Sequence, residues 1–261
     1  SLHSEECEIR YWSYIIDSWL VTFVSVVYDR FSKINFAKEN YSSLAFLVQS
    51  RTTCIPVNTQ SLTNLCATDE SYNNHIYSII ADELEIPLIN KYKITHLSKA
   101  TSKSNTRSFF KKLFEFSSRK LAKNFFKHHS TSLVVDGYFS KIDAIKIMIL
   151  SRLKVLFLPS RILFSPDIPA SQINYSARLK IRVTELDKLD VIVNKLLPSM
   201  FPQSFLENYK SNLIQIAPYT GLSCLSSAVG IHSSDKYKTL AARLSSKAII
   251  YSFQHGGNYN I

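Results

Sequence analysis

Apolar side chains recur through the first part of the chain at three- and four-residue steps: Ile9, Trp12, Ile15, Ile16, Trp19, Phe23, Val26 and Val27. That is the period of one helical face. Ser4, followed by Glu5, Glu6 and Glu8, reads as the helix start, a capping hydroxyl and then acids at the positive end of the helix dipole. Residues 44–48 predict a short strand, and residues 69–84 a helix that stops before Pro87. From about residue 130 short apolar runs alternate with helical spacing. A strand at 133–135 closes in an Asp136-Gly137 turn, a helix follows over 142–150, and a strand over 155–158 runs into Pro159. After an irregular stretch at 160–176, residues 177–197 predict a helix ended by Pro198 and Pro202. A strand at 222–225, a helix capped by Ser233-Ser234-Asp235 and running to Ser245, and a buried strand at 248–253 complete the pattern. Alternation of this kind implies a parallel sheet with crossover helices, an α/β, Rossmann-like architecture.

Residues 11–28 approach the length of a membrane span, but Asp17 sits near their middle. A central carboxylate costs about 2.5–3.5 kcal/mol on insertion scales, which argues against a span. With 261 residues, 46% of them apolar, the chain can bury a sizeable core. Four scattered cysteines lack metal-like spacing and read as reduced, mostly buried thiols. The chain has no initiator Met and no signal peptide, and it ends where a next helix would begin, so it reads as a piece of a longer protein.

The net charge of +11 is concentrated. Between Lys91 and Ser130 there are eleven Lys and Arg against one acid, Glu115, a local charge of +10. Arg107, Lys111, Lys112, Lys120 and Lys123 interleave with Phe109, Phe110, Phe114, Phe116, Phe125 and Phe126. This is the composition of an interfacial helix that seats aromatics in a bilayer and pairs its cations with anionic lipid, each cation contributing on the order of 1 kcal/mol. A solvated basic helix with its phenylalanines packed inward fits the same residues. Nucleic-acid binding fits them less well, since no RNA-binding signature accompanies them.

The candidate chemistry lies at the end of the chain. The apolar run to Phe253 empties into Gln254-His255-Gly256-Gly257-Asn258-Tyr259. Ligands of open α/β sheets bind at the carboxyl ends of the strands. Paired glycines let backbone N–H groups approach a phosphate, and His255 adds a titratable group that could serve as general base or phosphate partner. Asp235-Lys236-Tyr237-Lys238 opens the preceding helix and reads as a cap with surface charge, with Asp235 and Lys236 as the alternative substrate-binding groups. Asp136, after a strand, is a turn residue or a ligand contact. G-x-G-x-x-G, G-x-x-x-x-G-K-[ST], G-x-S-x-G and H-E-x-x-H are all absent, so dinucleotide, P-loop, serine-hydrolase and zinc-protease readings have no residues to rest on, and no metal site and no cofactor are expected.

Several stretches together resemble a family of transferases encoded in O-antigen and surface-polysaccharide gene regions of bacteria. These are residues 4–12, Trp19-Leu20, residues 28–31, residues 201–207, Asp235-Lys236-Tyr237-Lys238 and Gln254-His255-Gly256-Gly257-Asn258-Tyr259. Their order and spacing fit over most of the chain, least clearly over residues 50–130. Asp17-Ser18 stands where the family pattern has Gly-Pro, and Asn260 where it has Gly.

The resemblance implies a GT-B-like glycosyltransferase of two Rossmann-like domains facing across a cleft. Residues 1–261 would be the N-terminal domain, with an added amphipathic opening segment at 1–40 and a basic, Phe-rich helical insertion at 91–130; the C-terminal, donor-binding domain would be missing. The terminal loop would line the cleft like the His-Gly loops of polyol-phosphate and Kdo-type transferases. The implied partners are a nucleotide sugar, a lipid-linked or oligosaccharide acceptor, an anionic membrane surface and the missing domain of the same polypeptide, with no nucleic acid. The implied place is cytoplasmic, peripheral on the inner face of the plasma membrane. A non-catalytic membrane-binding module remains the alternative, with a nucleic-acid-binding domain behind it.

Overall fold

The structure, a computed structural model, describes residues 8–48, 54–90 and 131–253. In chain order its elements are α1 (Ile9–Asn40), β1 (Phe46–Val48), α2 (Thr59–Thr68), α3 (Glu70–Glu83), β2 (Leu88–Asn90), β3 (Ser132–Val135), α4 (Lys141–Leu150), β4 (Val155–Leu158), α5 (Ser160–Leu163), α6 (Tyr175–Arg178), α7 (Lys188–Met200), α8 (Tyr209–Ile216), β5 (Cys224–Ser227), α9 (Gly230–Ser233), α10 (Asp235–Leu244) and β6 (Ile249–Ser252). Single 3-10 turns, Gln203–Phe205 and Ala217–Tyr219, flank α8. The mixed α/β arrangement with parallel sheets is compatible with a Rossmann-like layout.

Helix α1 follows from its apolar spacing. Tyr11, Ile15, Trp19, Phe23 and Val27 are buried, each four residues after the last. They form a seam along which α3, α7 and α10 pack. Trp19 anchors the seam: its ring stacks on Phe23 at 5.2 Å and meets Phe201 edge-on at 5.0 Å. Its Nε1–H donates to the Met200 carbonyl at 3.1 Å. Such a side chain contributes roughly 1.5–3 kcal/mol through burial, and its polar tip is satisfied as well. The helix begins at Ile9 with Glu8 as an N-cap that makes no side-chain bond; Ser4 lies outside the described residues. It passes without a break through Asp17-Ser18, where Gly-Pro would have bent it.

Two sheets form, both parallel. The smaller pairs β1 with β2. The larger has the order β4-β3-β5-β6. Leu133, Val135 and Leu225, with partly buried Leu156, Leu158 and Ile250, turn one face toward Tyr237, Leu240, Ala241 and Leu244 of α10. Because β3 lies between β4 and β5, the chain departs from the centre in both directions, and a switch point falls between the carboxyl ends of β3 and β5.

Three sequence expectations change. The last strand, read as buried, is a half-covered edge: Ile250 packs inward, but Ile249 and Tyr251 are more than half exposed on the opposite face. The helix expected over 177–197 is split; α6 ends at Arg178 and α7 begins at Lys188, with Asp187 accepting from the Asp190 backbone N–H at 3.0 Å. Pro198 does not end α7, which continues to Met200. The buried Arg178 guanidinium donates to the Pro198 carbonyl at 3.0 Å and to the Phe201 carbonyl at 2.6 Å, satisfying the helix end and complementing its dipole. Helices α2 and α8 and strand β2 were not legible. The helix α2 sequence, TQSLTNLCAT, is mostly polar and buries only Thr59, Leu62 and Cys66.

Candidate functional site

Every strand of the larger sheet ends on one edge, and short turns carry the chain away from it. After β3, Asp136 takes a left-handed φ of 49°, and its Oδ1 accepts from the Ser160 backbone N–H at 3.0 Å. The end of the central strand is thereby tied to the start of α5. After β5, Ser227 Oγ accepts from the Gly230 N–H at 2.7 Å. A Cβ at Gly230 would fall 2.7 Å from the Tyr237 ring and 2.8 Å from Ser227 Oγ, so only glycine fits this turn.

Beside these turns lies an open cleft of about 330 Å³, lined by Ser160, Arg161, Asp167, Ser233, Ser234 and Lys236 among others. Lys236 reaches it from the first turn of α10. Its buried stem carries Nζ to the Asp167 carboxylate at 2.6 Å and to the Ser165 carbonyl at 2.6 Å. Two cations and several hydroxyls in its lining suit an anionic ligand, with Asp167 as the internal counter-ion an anion would replace. Sequence reasoning named Lys236 and missed Arg161, Ser160 and Asp167. The signal available for the first two was their place just after the Pro159 strand end.

Asp235 and Lys238, expected to carry surface charge if they were not ligands, are instead fully interior. The Asp235 carboxylate accepts from Thr59 N–H at 2.9 Å, Thr59 Oγ1 at 2.7 Å, Ser204 Oγ at 2.5 Å and Lys238 Nζ at 2.6 Å. The Lys238 ammonium also donates to Ser18 Oγ at 2.9 Å and stands 5.3 Å from the Phe205 ring centre. With four donors inside the protein, Asp235 joins α2, the 203–205 turn and α10, Lys238 extends the network to α1, and together they hold the helix on which Lys236 is mounted. A second interior pair, Arg178 with Glu207, is bidentate at 2.8 and 2.6 Å. Gln203 joins both sides of the same region, donating to the Ile55 carbonyl at 2.9 Å and accepting from Ala170 N–H at 2.7 Å.

Some stretches far apart in sequence that share one family pattern are thus packed together: Trp19 on Phe201 and Ser204 on Asp235. Gln254, His255, Gly256, Gly257, Asn258 and Tyr259 lie outside the described residues, as do Arg107, Lys111, Lys112, Lys120 and Lys123. Among the described residues no group of three or more His, Cys, Asp or Glu could hold a metal ion, and no helix is long and apolar enough to cross a membrane. Among the described residues, Cys66 and Cys224 are thiols outside any disulfide; burial raises the pKa of Cys66 to about 11, which keeps it protonated and unreactive near neutral pH.

No curated protein and no solved structure matches the chain significantly. A family model described as LIC12162 family transferase matches residues 1–261. Matched along its whole length, the chain belongs to the LIC12162 family of transferases.

Proposed function

We propose that this transferase moves a sugar from a nucleotide-activated donor to a lipid-linked or oligosaccharide acceptor in surface-polysaccharide synthesis of the O-antigen type. The observation that carries the reading is the common carboxyl edge of the four-stranded sheet, with its switch point and its cationic cleft, in a chain of a transferase family. The chain leaves β6 at this edge, and His255 follows Phe253 by two residues. In this reading the described residues belong to the N-terminal half of a GT-B-like enzyme, and a second domain supplies most of the donor site.

The roles follow from chemistry. His255 takes the proton of the acceptor hydroxyl or, charged, faces a phosphate. Gly256 and Gly257 present backbone N–H groups to phosphate oxygens, and Gln254, Asn258 and Tyr259 contact the substrate around them. Lys236, with Arg161, holds an anionic group of acceptor or donor in the cleft. Asp235 positions Lys236 through the buried network. No cofactor takes part. Arg107, Lys111, Lys112, Lys120 and Lys123 hold the enzyme on the inner face of the membrane, where lipid-linked acceptors lie.

The test is kinetic, on the full-length protein. His255→Ala lowers kcat by roughly tenfold or more. Lys236→Met raises KM for the phosphate-bearing substrate and leaves kcat less affected, because it removes binding shared by ground and transition states. Wild-type kinetics in both variants would exclude these roles.

A further inference from the structure

Helix α4 is apolar on two opposite sides, and the sheet covers only one of them. Ala144, Ile147, Met148 and Ser151 lie along the inner face and are half-buried against β4. Ile142, Ile145, Lys146 and Ile149 lie along the outer face. Ile142 is 66% exposed, Ile145 51% and Ile149 68%; Leu150 beside them is 82% exposed. Tyr138, Phe139 and Leu153, at the two ends of the helix, are also exposed. No α4 residue is fully buried. A helix that is apolar all round belongs inside a core or an apolar medium, and a clustered apolar surface of this kind marks an interaction site.

The charges around the patch select the medium. Lys141, Lys146, Arg152 and Lys154 are exposed on α4 and the turn after it. The one acid between residues 138 and 154, Asp143, accepts from Ser140 Oγ at 2.7 Å in the first turn, where the positive end of the helix dipole offsets its charge. The surface is therefore an isoleucine ridge rimmed by cations. We propose that the outer face of α4 is a lipid-docking surface: its isoleucines enter the headgroup boundary of an anionic bilayer while Lys141, Lys146, Arg152 and Lys154 pair with lipid phosphates.

Position supports this. The loop before α4 leaves the carboxyl end of β3, so α4 begins at the same edge of the sheet as the cationic cleft. Phe139, in that loop, packs on Phe157 at 5.0 Å and on Phe253 at 6.0 Å. The docking surface stands on the exposure of α4 and not on the transferase reading.

The test uses the full-length protein and vesicle sedimentation, with phosphatidylcholine alone and with added phosphatidylglycerol. Binding to the anionic vesicles is expected to fall roughly tenfold or more in Ile145→Asn/Ile149→Asn and again in Lys146→Gln/Arg152→Gln. These side chains are exposed, so the melting temperature should hold, and a thermal melt confirms it. A separate Lys111→Gln/Lys112→Gln/Lys120→Gln/Lys123→Gln protein reports on the other basic segment. Unchanged vesicle binding in the α4 variants overturns the proposal, whether binding is lost only in the four-lysine variant or not at all. A loss of self-association in the α4 variants, seen by sedimentation velocity with vesicle binding intact, assigns the face to a second copy of the chain and equally overturns it.

Discussion

Tyr72 shows how local the energetics can be. Its ring is buried among the residues of the α1–α3 core, yet its hydroxyl has no hydrogen-bond partner among the described residues. An orphaned buried hydroxyl costs about 1–3 kcal/mol, and removing it costs nothing in packing. Tyr72→Phe is therefore expected to leave stability unchanged or raise it by about 1 kcal/mol in urea unfolding; a loss of more than about 1 kcal/mol would mean that the hydroxyl is paired. Asp235 is the opposite case. Asp235→Asn leaves the Lys238 cation interior without its counter-charge and should cost about 3–5 kcal/mol. Asp235→Asn/Lys238→Met removes both charges and should recover much of that loss. A double variant as unstable as the single one would show that the hydrogen bonds to Thr59 and Ser204, not the charge pair, hold these elements together. Asp235 and Lys238 were also misjudged for this reason: in sequence, D-K-Y-K at a helix start looks like solvated charge. Only the approach of Thr59, Ser204 and Ser18 from three other segments makes it an interior network.

Elements were legible where one periodicity governed them. The four-residue seam of α1, the β3 turn at Asp136, the helix α3 and the alternation of β3, α4 and β4 all follow from local pattern. Failures share a cause. Helix α2 depends on an Asn58–Ser61 capping box and a narrow buried stripe rather than on an apolar face. The division between α6 and α7 depends on Asn174 capping one short turn and on Arg178 reaching across to close the other helix. The half-exposure of β6 is a property of its edge place in the sheet. For the site, Lys236 could be named from its strand-and-helix context, whereas Asp167 arrives from an irregular loop that no period marks.

At the scale of the whole molecule, buried acids of raised pKa tie stability to alkaline pH. Burial raises Cys66 to about 11 and pushes the Tyr72 and Tyr237 hydroxyls up in the same direction. A group whose folded pKa exceeds its unfolded value holds its proton more tightly in the fold. The contribution of Cys66 is then fully present below its ordinary pKa near 9 and is lost as pH rises toward about 11. Unfolding free energy should be flat in this respect from neutral pH to about 9 and fall steadily above it; Cys66→Ala should fall less steeply. An identical decline in both proteins would remove Cys66 as a source.

The whole molecule also brings the β3, β4 and β5 turns, the cleft, the start of α4 and the exit of β6 to one edge, and the glycosyl transfer proposed above would take place at that edge. A transfer assay on the full-length protein tests it most directly: mass spectrometry of the products from a panel of nucleotide sugars with a lipid-linked acceptor, for wild type and His255→Ala side by side. The expected result is an acceptor heavier by one sugar, formed by the wild type and roughly tenfold or more slowly by the variant. Donors left unconsumed by the wild type would contradict glycosyl transfer, and equal rates for the two proteins would contradict His255 as its catalytic group.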